Sequence, residues 1–149
     1  MIKTDTIAAV KNILDTKVST IFTITPLTSV YHALELMVEK NVSALLVMEG
    51  DTLAGIFTER DYARKVALKG KSSKETVIGD IMTRDLITVR SESSIDECME
   101  LMTGKYIRHL PVVDGGKLTG IISIGDVVRC IIQEQKSIIG HMEQYIAGS

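Results

Sequence analysis

Thr58-Glu59-Arg60-Asp61 puts a hydroxyl, a guanidinium and two carboxylates within four consecutive residues, where an apolar run turns to helical patterning. Ser123-Ile124-Gly125-Asp126 repeats the hydroxyl and the final carboxylate at the same spacing. A helix start of this kind offers N–H donors to an anion. The carboxylate of Asp61 suits a vicinal diol such as a ribose, the Thr58 hydroxyl a sugar or phosphate oxygen, and Arg60 a phosphate. With the apolar run Ala44–Met48 as a flanking wall, diol and phosphate together describe a nucleotide. A second reading stands beside this one. Ser or Thr followed three residues later by an acid is close to a capping box, in which both side chains merely satisfy free N–H groups at a helix start.

The elements that must position these residues recur. Apolar residues at 7, 10, 13 and 14 predict a short amphipathic helix from Ile7 to Leu14. Thr20–Ile24 reads as a strand ended by Pro26, and Thr28 or Ser29 is suited to cap the next helix. Val30, Ala33, Leu34, Met37 and Val38 give that helix one apolar face, and Asn41 suits its end. Ala44–Met48 reads as a buried strand, Glu49-Gly50-Asp51 as a turn, Leu53–Thr58 as the returning strand, and Glu59 to about Leu68 as a helix. The order then returns: a strand at Leu86–Val89, a helix with Ile95, Cys98, Met99 and Met102 inward, strands at His109–Val113 and Lys117–Ser123, and a helix from about Gly125 to Gln135.

A shift of 65 positions superposes the two sets without a gap from Asp15/Asp80 onward. Thr23/Thr88, Met37/Met102, Leu45/Leu110, Val47/Val112, Gly50/Gly115, Gly55/Gly120, Asp61/Asp126 and Arg64/Arg129 are identical pairs. This is an internal duplication. One β-α-β-β-α unit buries too little surface to stand alone comfortably, so two units packed face to face about a pseudo-twofold axis are expected. The fold class is α/β (α+β). The expected divisions are a helical lead-in at 1–16, a first repeat at 17–69, a polar linker at 70–79, a second repeat at 80–135 and an amphipathic C-terminal helix at 136–149. Ile138, Met142, Tyr145 and Ile146 mark that last helix, which reads equally as an arm folded back on the fold and as a dimer contact.

Composition removes several function classes. Net charge is −2 with 17 basic residues scattered along the chain, so no nucleic-acid footprint is present, and 4% aromatic content leaves no base-stacking platform. No apolar run reaches the length of a membrane span, and Met1-Ile2-Lys3-Thr4-Asp5 is no basic n-region, so a cytoplasmic location is expected. Cys98 and Cys130 lack metal-ligand spacing and are expected as free thiols in helices. There is no phosphate-binding P-loop, no Gly-x-Gly-x-x-Gly after a strand and no zinc spacing, so catalysis is not expected.

The repeat, its element order and the Gly-hydrophobic-x-Thr/Ser-x-x-Asp signature resemble tandem cystathionine-β-synthase (CBS) domains, the Bateman module, from roughly Lys17 to Gln135. Gly55–Val66, Ile107-Arg108-His109-Leu110-Pro111-Val112 and the tail Ile139–Ile146 resemble the small stand-alone bacterial members in particular. The resemblance implies a regulatory, non-enzymatic module without a catalytic cofactor. It would bind adenosyl ligands in clefts between the repeats: AMP, ADP, ATP or NAD(H), with S-adenosylmethionine a further alternative. It also implies a homodimer, and an output acting on a protein in trans. A ligand-free dimerisation module is the rival reading. Carried over by motif, Thr58 and Asp61 would hold one ribose and Ser123 and Asp126 another. Val42, Ser43 and Ala44, and likewise Ile107, Arg108 and His109, would contact base or phosphates. Arg108 also reads as an exposed strand-end charge, and His109 as a packing residue.

The copies differ in charge. Where the first has Glu59-Arg60 the second has Ile124-Gly125, and Ser43-Ala44 corresponds to Arg108-His109. Cations converging on one cleft would make one strong phosphate site, and separate cations two. On the residues at the junctions alone, Gly55–Arg64 is expected to frame the stronger site.

Overall fold

The structure, a computed structural model, describes residues 8–17 and 21–147. The expected helix start at Ile7, the strand start at Thr20 and the side chain of Tyr145 lie outside the described residues. The chain divides into two compact units: a middle unit, Thr20–Ile87, and a terminal unit that joins Met1–Ser19 to Thr88–Ser149.

In the middle unit, β1 (Thr23–Ile24) lies parallel to β2 (Ala44–Glu49), and β2 is antiparallel to β3 (Thr52–Thr58). Between β1 and β2 runs α2 (Val30–Lys40). Its start is capped by Ser29, whose hydroxyl accepts from the His32 N–H at 3.1 Å, and Asn41 closes it in the left-handed conformation at φ 53°. Val30, Ala33 and Met37 form its buried face, whereas Val38 is 83% exposed. The core gathers these with Leu45, Val47, Phe57 and Val66. Residues after the polar 70–75 stretch also enter this core. Val77 bridges Ser29, Ile78–Asp80 forms a 3-10 turn, and Ile78, Ile81 and Met82 are buried.

In the terminal unit, α4 (Ile95–Lys105) buries Ile95, Cys98 and Met102, with Met99 half-buried, and the β4 (His109–Asp114) and β5 (Lys117–Ser123) hairpin carries the sheet. The strand expected at Leu86–Val89 is reduced to one parallel bridge, Val89 to Val112. Val89 donates its N–H to Pro111 O at 3.0 Å and accepts from Val113 at 2.8 Å. With 65 subtracted, this bridge is the Ile24–Val47 pair of β1 and β2. Both hairpins shift register at the same place, between Val47 and Met48 and between Val112 and Val113. The duplication thus extends to backbone irregularities. The lead-in helix α1 (Val10–Thr16) belongs here, buries Val10 and Ile13, and packs against β5 and α5 (Ile124–Ala147). The two helices expected on either side of residue 135 are one, α5, running unbroken from Ile124 to Ala147. Neither Gly nor Pro stands at 135 or 136 to end it.

The glycines of the shared signature are explained by close approach. A Cβ on Gly55 would sit 2.8 Å from both the Thr83 carbonyl oxygen and Met82 Sδ; one on Gly120 would sit 2.7 Å from Leu14 Cδ2. Each unit lays a neighbouring segment across this strand position, which admits no side chain. Among the described residues no helix is long and apolar enough to cross a membrane.

Candidate functional site

Each hydroxyl-x-x-carboxylate sequence stands where a hairpin strand runs into a helix. In the middle unit the helical turn α3 (Glu59–Asp61) continues as a π-helical segment, Tyr62–Ala67. Thr58 donates its backbone N–H to Asp61 Oδ2 at 3.0 Å, and Asp61 returns its N–H to Thr58 Oγ1 at 3.1 Å. That is a complete capping box. Asp61 Oδ1 also accepts from Thr83 Oγ1 at 3.0 Å and pairs with Lys65 Nζ at 3.1 Å, and Lys65 donates to the Ile81 carbonyl. Asp61 is 7% exposed. The π-helical segment has no counterpart at α5, although such wide turns concentrate at functional sites elsewhere.

In the terminal unit Ser123 donates its N–H to Asp126 Oδ2 at 2.8 Å, and Asp126 donates back to Ser123 Oγ at 3.2 Å. Two cations close on the same carboxylate: Lys17 Nζ at 2.8 Å from Oδ2 and Arg129 at 2.7 Å from Oδ1. Burial works against the charge of Asp126, but the Lys17 ammonium and the Ser123 N–H outweigh it and hold the carboxyl below its usual range. A groove of about 800 Å3 lies here, lined among others by Asn12, Thr16, Lys17, Asp126, Arg129 and Cys130. That volume is within the usual range for a small-molecule site.

The strand starts sit beside the junctions. Ser43 O accepts from the Glu59 N–H at 3.2 Å and Ala44 pairs with Thr58, which brings Val42, Ser43 and Ala44 to the Thr58–Asp61 turn. Arg108 O likewise accepts from the Ile124 N–H at 2.8 Å and His109 pairs with Ser123, which brings Ile107, Arg108 and His109 to the other. Arg60 and Arg108 are both exposed, one in each unit.

Comparing Arg60 with Gly125 misjudged the charge. Position 125 lacks a cation, yet Lys17 and Arg129 supply two to Asp126. Arg129 was visible as the partner of Arg64 in the repeat, three residues after the acid. Lys17 stands 109 positions from Asp126 and carries no local signal. Thr83, 22 positions from Asp61, was missed for the same reason at the first junction, whereas Lys65 stands four residues after Asp61 and was open to a local reading.

His109 is half-buried. Desolvation, then Lys17, pushes its pKa below the ordinary histidine value, with Asp126 opposing and Arg108 adding to the fall. The unfolded chain therefore binds the proton more readily than the native one. The stability His109 contributes is present above about pH 6.5 and is lost as the pH falls through its depressed pKa. Urea midpoints between pH 7.5 and 5 are expected to decline, and His109→Gln to flatten the decline. Burial pushes the Cys98 thiol up to about 11, followed by Glu97, and raises Cys130 as well, so neither is a poised nucleophile. Among the described residues no group of three His, Cys, Asp or Glu could hold a metal ion.

Comparison with known proteins gives the family and the fold. The CBS-domain family profile matches residues 7–68 and 78–133. The chain belongs to the CBS-domain family, as a tandem pair. It is 46% identical over 125 residues to the mitochondrial CBS domain-containing protein CBSX3 of Arabidopsis thaliana, covering 80% of this chain and 61% of that protein. A putative signal-transduction protein with CBS domains from Burkholderia ambifaria superposes with TM-score 0.83 at 53% identity, covering 86% of this chain and 96% of that one. The CBS pair of MJ0100, solved with 5′-methylthioadenosine and S-adenosyl-L-methionine, superposes with TM-score 0.75 at 27% identity, covering 87% and 99%. The mixed α/β fold of the two units is the CBS repeat fold.

Proposed function

We propose that this CBS pair is a regulatory sensor of an adenosine-containing ligand, with AMP or NAD(H) first among the ligands and S-adenosylmethionine the alternative. The observation that carries the reading is Asp126, a buried carboxylate gripped by Lys17 and Arg129 on a groove of about 800 Å3. A ribose diol replaces the two cations on the carboxylate, and the released cations take the phosphates. The cations exchange one anionic partner for another, and the carboxylate keeps hydrogen-bond donors in the Ser123 N–H and the diol. Thr58 and Asp61, with Lys65 and Arg60, form the corresponding set in the middle unit. S-adenosylmethionine presents the same ribose but a cationic sulfonium in place of phosphate, so Lys17 and Arg129 favour the nucleotides. The module has no catalytic cofactor, and its output is a shift between two arrangements of the chain or its dimer, read by a protein in trans. That shift requires the ligand to bind the two arrangements with different affinity.

A ligand-free dimerisation module keeps one observation in its favour: both carboxylates already serve complete caps. Thermal unfolding with AMP, ATP, NADH and S-adenosylmethionine separates the two readings. A ligand at a hundred times its Kd stabilises the native state by about 2.7 kcal/mol. AMP or NADH is expected to raise the midpoint, and Asp61→Asn, which keeps a capping acceptor but drops the charge, to shrink the rise. No shift from any of the four at millimolar concentration decides for the dimerisation module.

A further inference from the structure

The two junctions draw their cations from different places. At the first, Lys65 stands four residues after Asp61, pairs with it at 3.1 Å and donates to the Ile81 carbonyl at 3.1 Å. A shift of 65 makes Cys130 the counterpart of Lys65 and Met82 the counterpart of Lys17. Cation and uncharged residue have thus changed places between the copies. At the second junction the ammonium comes from the end of α1: Lys17 Nζ donates to Asp126 Oδ2 at 2.8 Å and to the Ile121 carbonyl at 2.9 Å.

The segments holding positions 17 and 82 lead into the two places where the chain passes between units, after Ser19 and after Ile87. They are fastened differently. Ile81 and Met82 are 3% and 6% exposed, and Thr83 exchanges backbone hydrogen bonds with Ile56 at 2.9 and 3.0 Å. Thr83 also donates to Asp61, but loss of that bond leaves the burial and the bridge in place. Asp15 and Thr16 are exposed, and Lys17 is half-buried and held through its charge. Apolar burial is indifferent to what binds a carboxylate, whereas an ion pair ends when its anion takes another partner. We propose that Lys17 is the tether through which ligand at Asp126 is signalled. When the diol takes the carboxylate, the ammonium leaves Asp126 for the phosphate and frees the segment leading to the middle unit. Ligand at Asp61 leaves the other crossing where burial holds it, so the terminal site transmits and the middle site only binds. This rests on the reading of Asp126 as a ribose site, and adds which of the two sites regulates and through which residue.

Spin labels on Asp51→Cys and Lys117→Cys, exposed hairpin residues of the two units, test the tether by pulsed dipolar resonance. The labelled chain carries Cys130→Ser and is diluted into unlabelled chain. AMP or NADH is expected to shift the distance distribution, and Lys17→Met to give the shifted distribution without ligand. Lys17→Met combined with Cys130→Lys returns the cation to the acid's own helix, four residues after it, as Lys65 stands to Asp61. Relative to Lys17→Met, this chain is expected to regain a ligand-dependent rise in unfolding midpoint. Its distances are expected to stay in the shifted distribution with and without ligand, which a merely structural role for Lys17 would not produce. Three results overturn the tether while leaving the ligand reading intact: a native chain whose midpoint rises with ligand at fixed distances, a ligand-free Lys17→Met with the native distribution, or a combined variant whose distances still answer to ligand. A native midpoint that none of AMP, ATP, NADH and S-adenosylmethionine moves overturns the ligand reading itself, and the tether with it.

Discussion

Asp126→Ala is expected to destabilise the terminal unit by about 2–3 kcal/mol and to remove its response to ligand. The carboxylate accepts from the Ser123 N–H, Lys17 and Arg129. Loss of a helix cap alone costs about 1 kcal/mol. The remainder comes from the Lys17 ammonium, whose side chain is 28% exposed and so rehydrates only in part. Arg129, at 74% exposed, adds little. Asp126→Asn separates structure from binding, since an amide oxygen still caps the helix but cannot balance two cations. Urea titration should place Asn much nearer the native chain than Ala, while both lose the ligand-induced shift. An Asn variant with a full ligand response would refute the diol assignment. Because Asp126 is held below the usual carboxylate range, its contribution is present above about pH 4 and lost as the pH falls through its lowered pKa.

Phe57→Ala is expected to cost about 3–5 kcal/mol, the range for truncating a buried aromatic and leaving its cavity. Phe57 is fully buried in the middle unit's core with Leu45, Val47, Ile78 and Ile81. The neighbouring strand β2 and the segment after the polar stretch share this core with it, so no single element can close the void. It also directly precedes Thr58, and its packing sets where the strand ends and the Thr58–Asp61 turn begins. Denaturant unfolding should show the loss, and Phe57→Leu should recover most of it by keeping volume. The variant should lose ligand stabilisation at the first junction even though no ligand-facing group has changed.

Much of this architecture was legible in the residues because it rests on local rules. Ser29 capping α2 and Asn41 closing it follow from side chains that favour those conformations. Tyr106, at the position equivalent to Asn41, adopts the same left-handed conformation at φ 55°. Nothing about tyrosine signals this; only the repeat does, because β4 must begin where β2 begins. The missing strand at Leu86–Val89 shows the opposite limit. Its residues have strand character, but a ladder needs a partner along its length, and only Val89 meets one.

The spacing of 65 and the paired Thr58/Asp61 and Ser123/Asp126 motifs establish the duplication, the family and the two junctions, since each is written within a few neighbouring residues. Which cations reach each carboxylate was decided by the tertiary structure. Lys17 arrives at Asp126 from the far end of the chain, Thr83 at Asp61 from 22 positions away, and α1 completes the terminal unit. The reason is physical: an ion pair forms wherever folding brings two charges within a few ångströms, and distance along the chain does not enter the interaction.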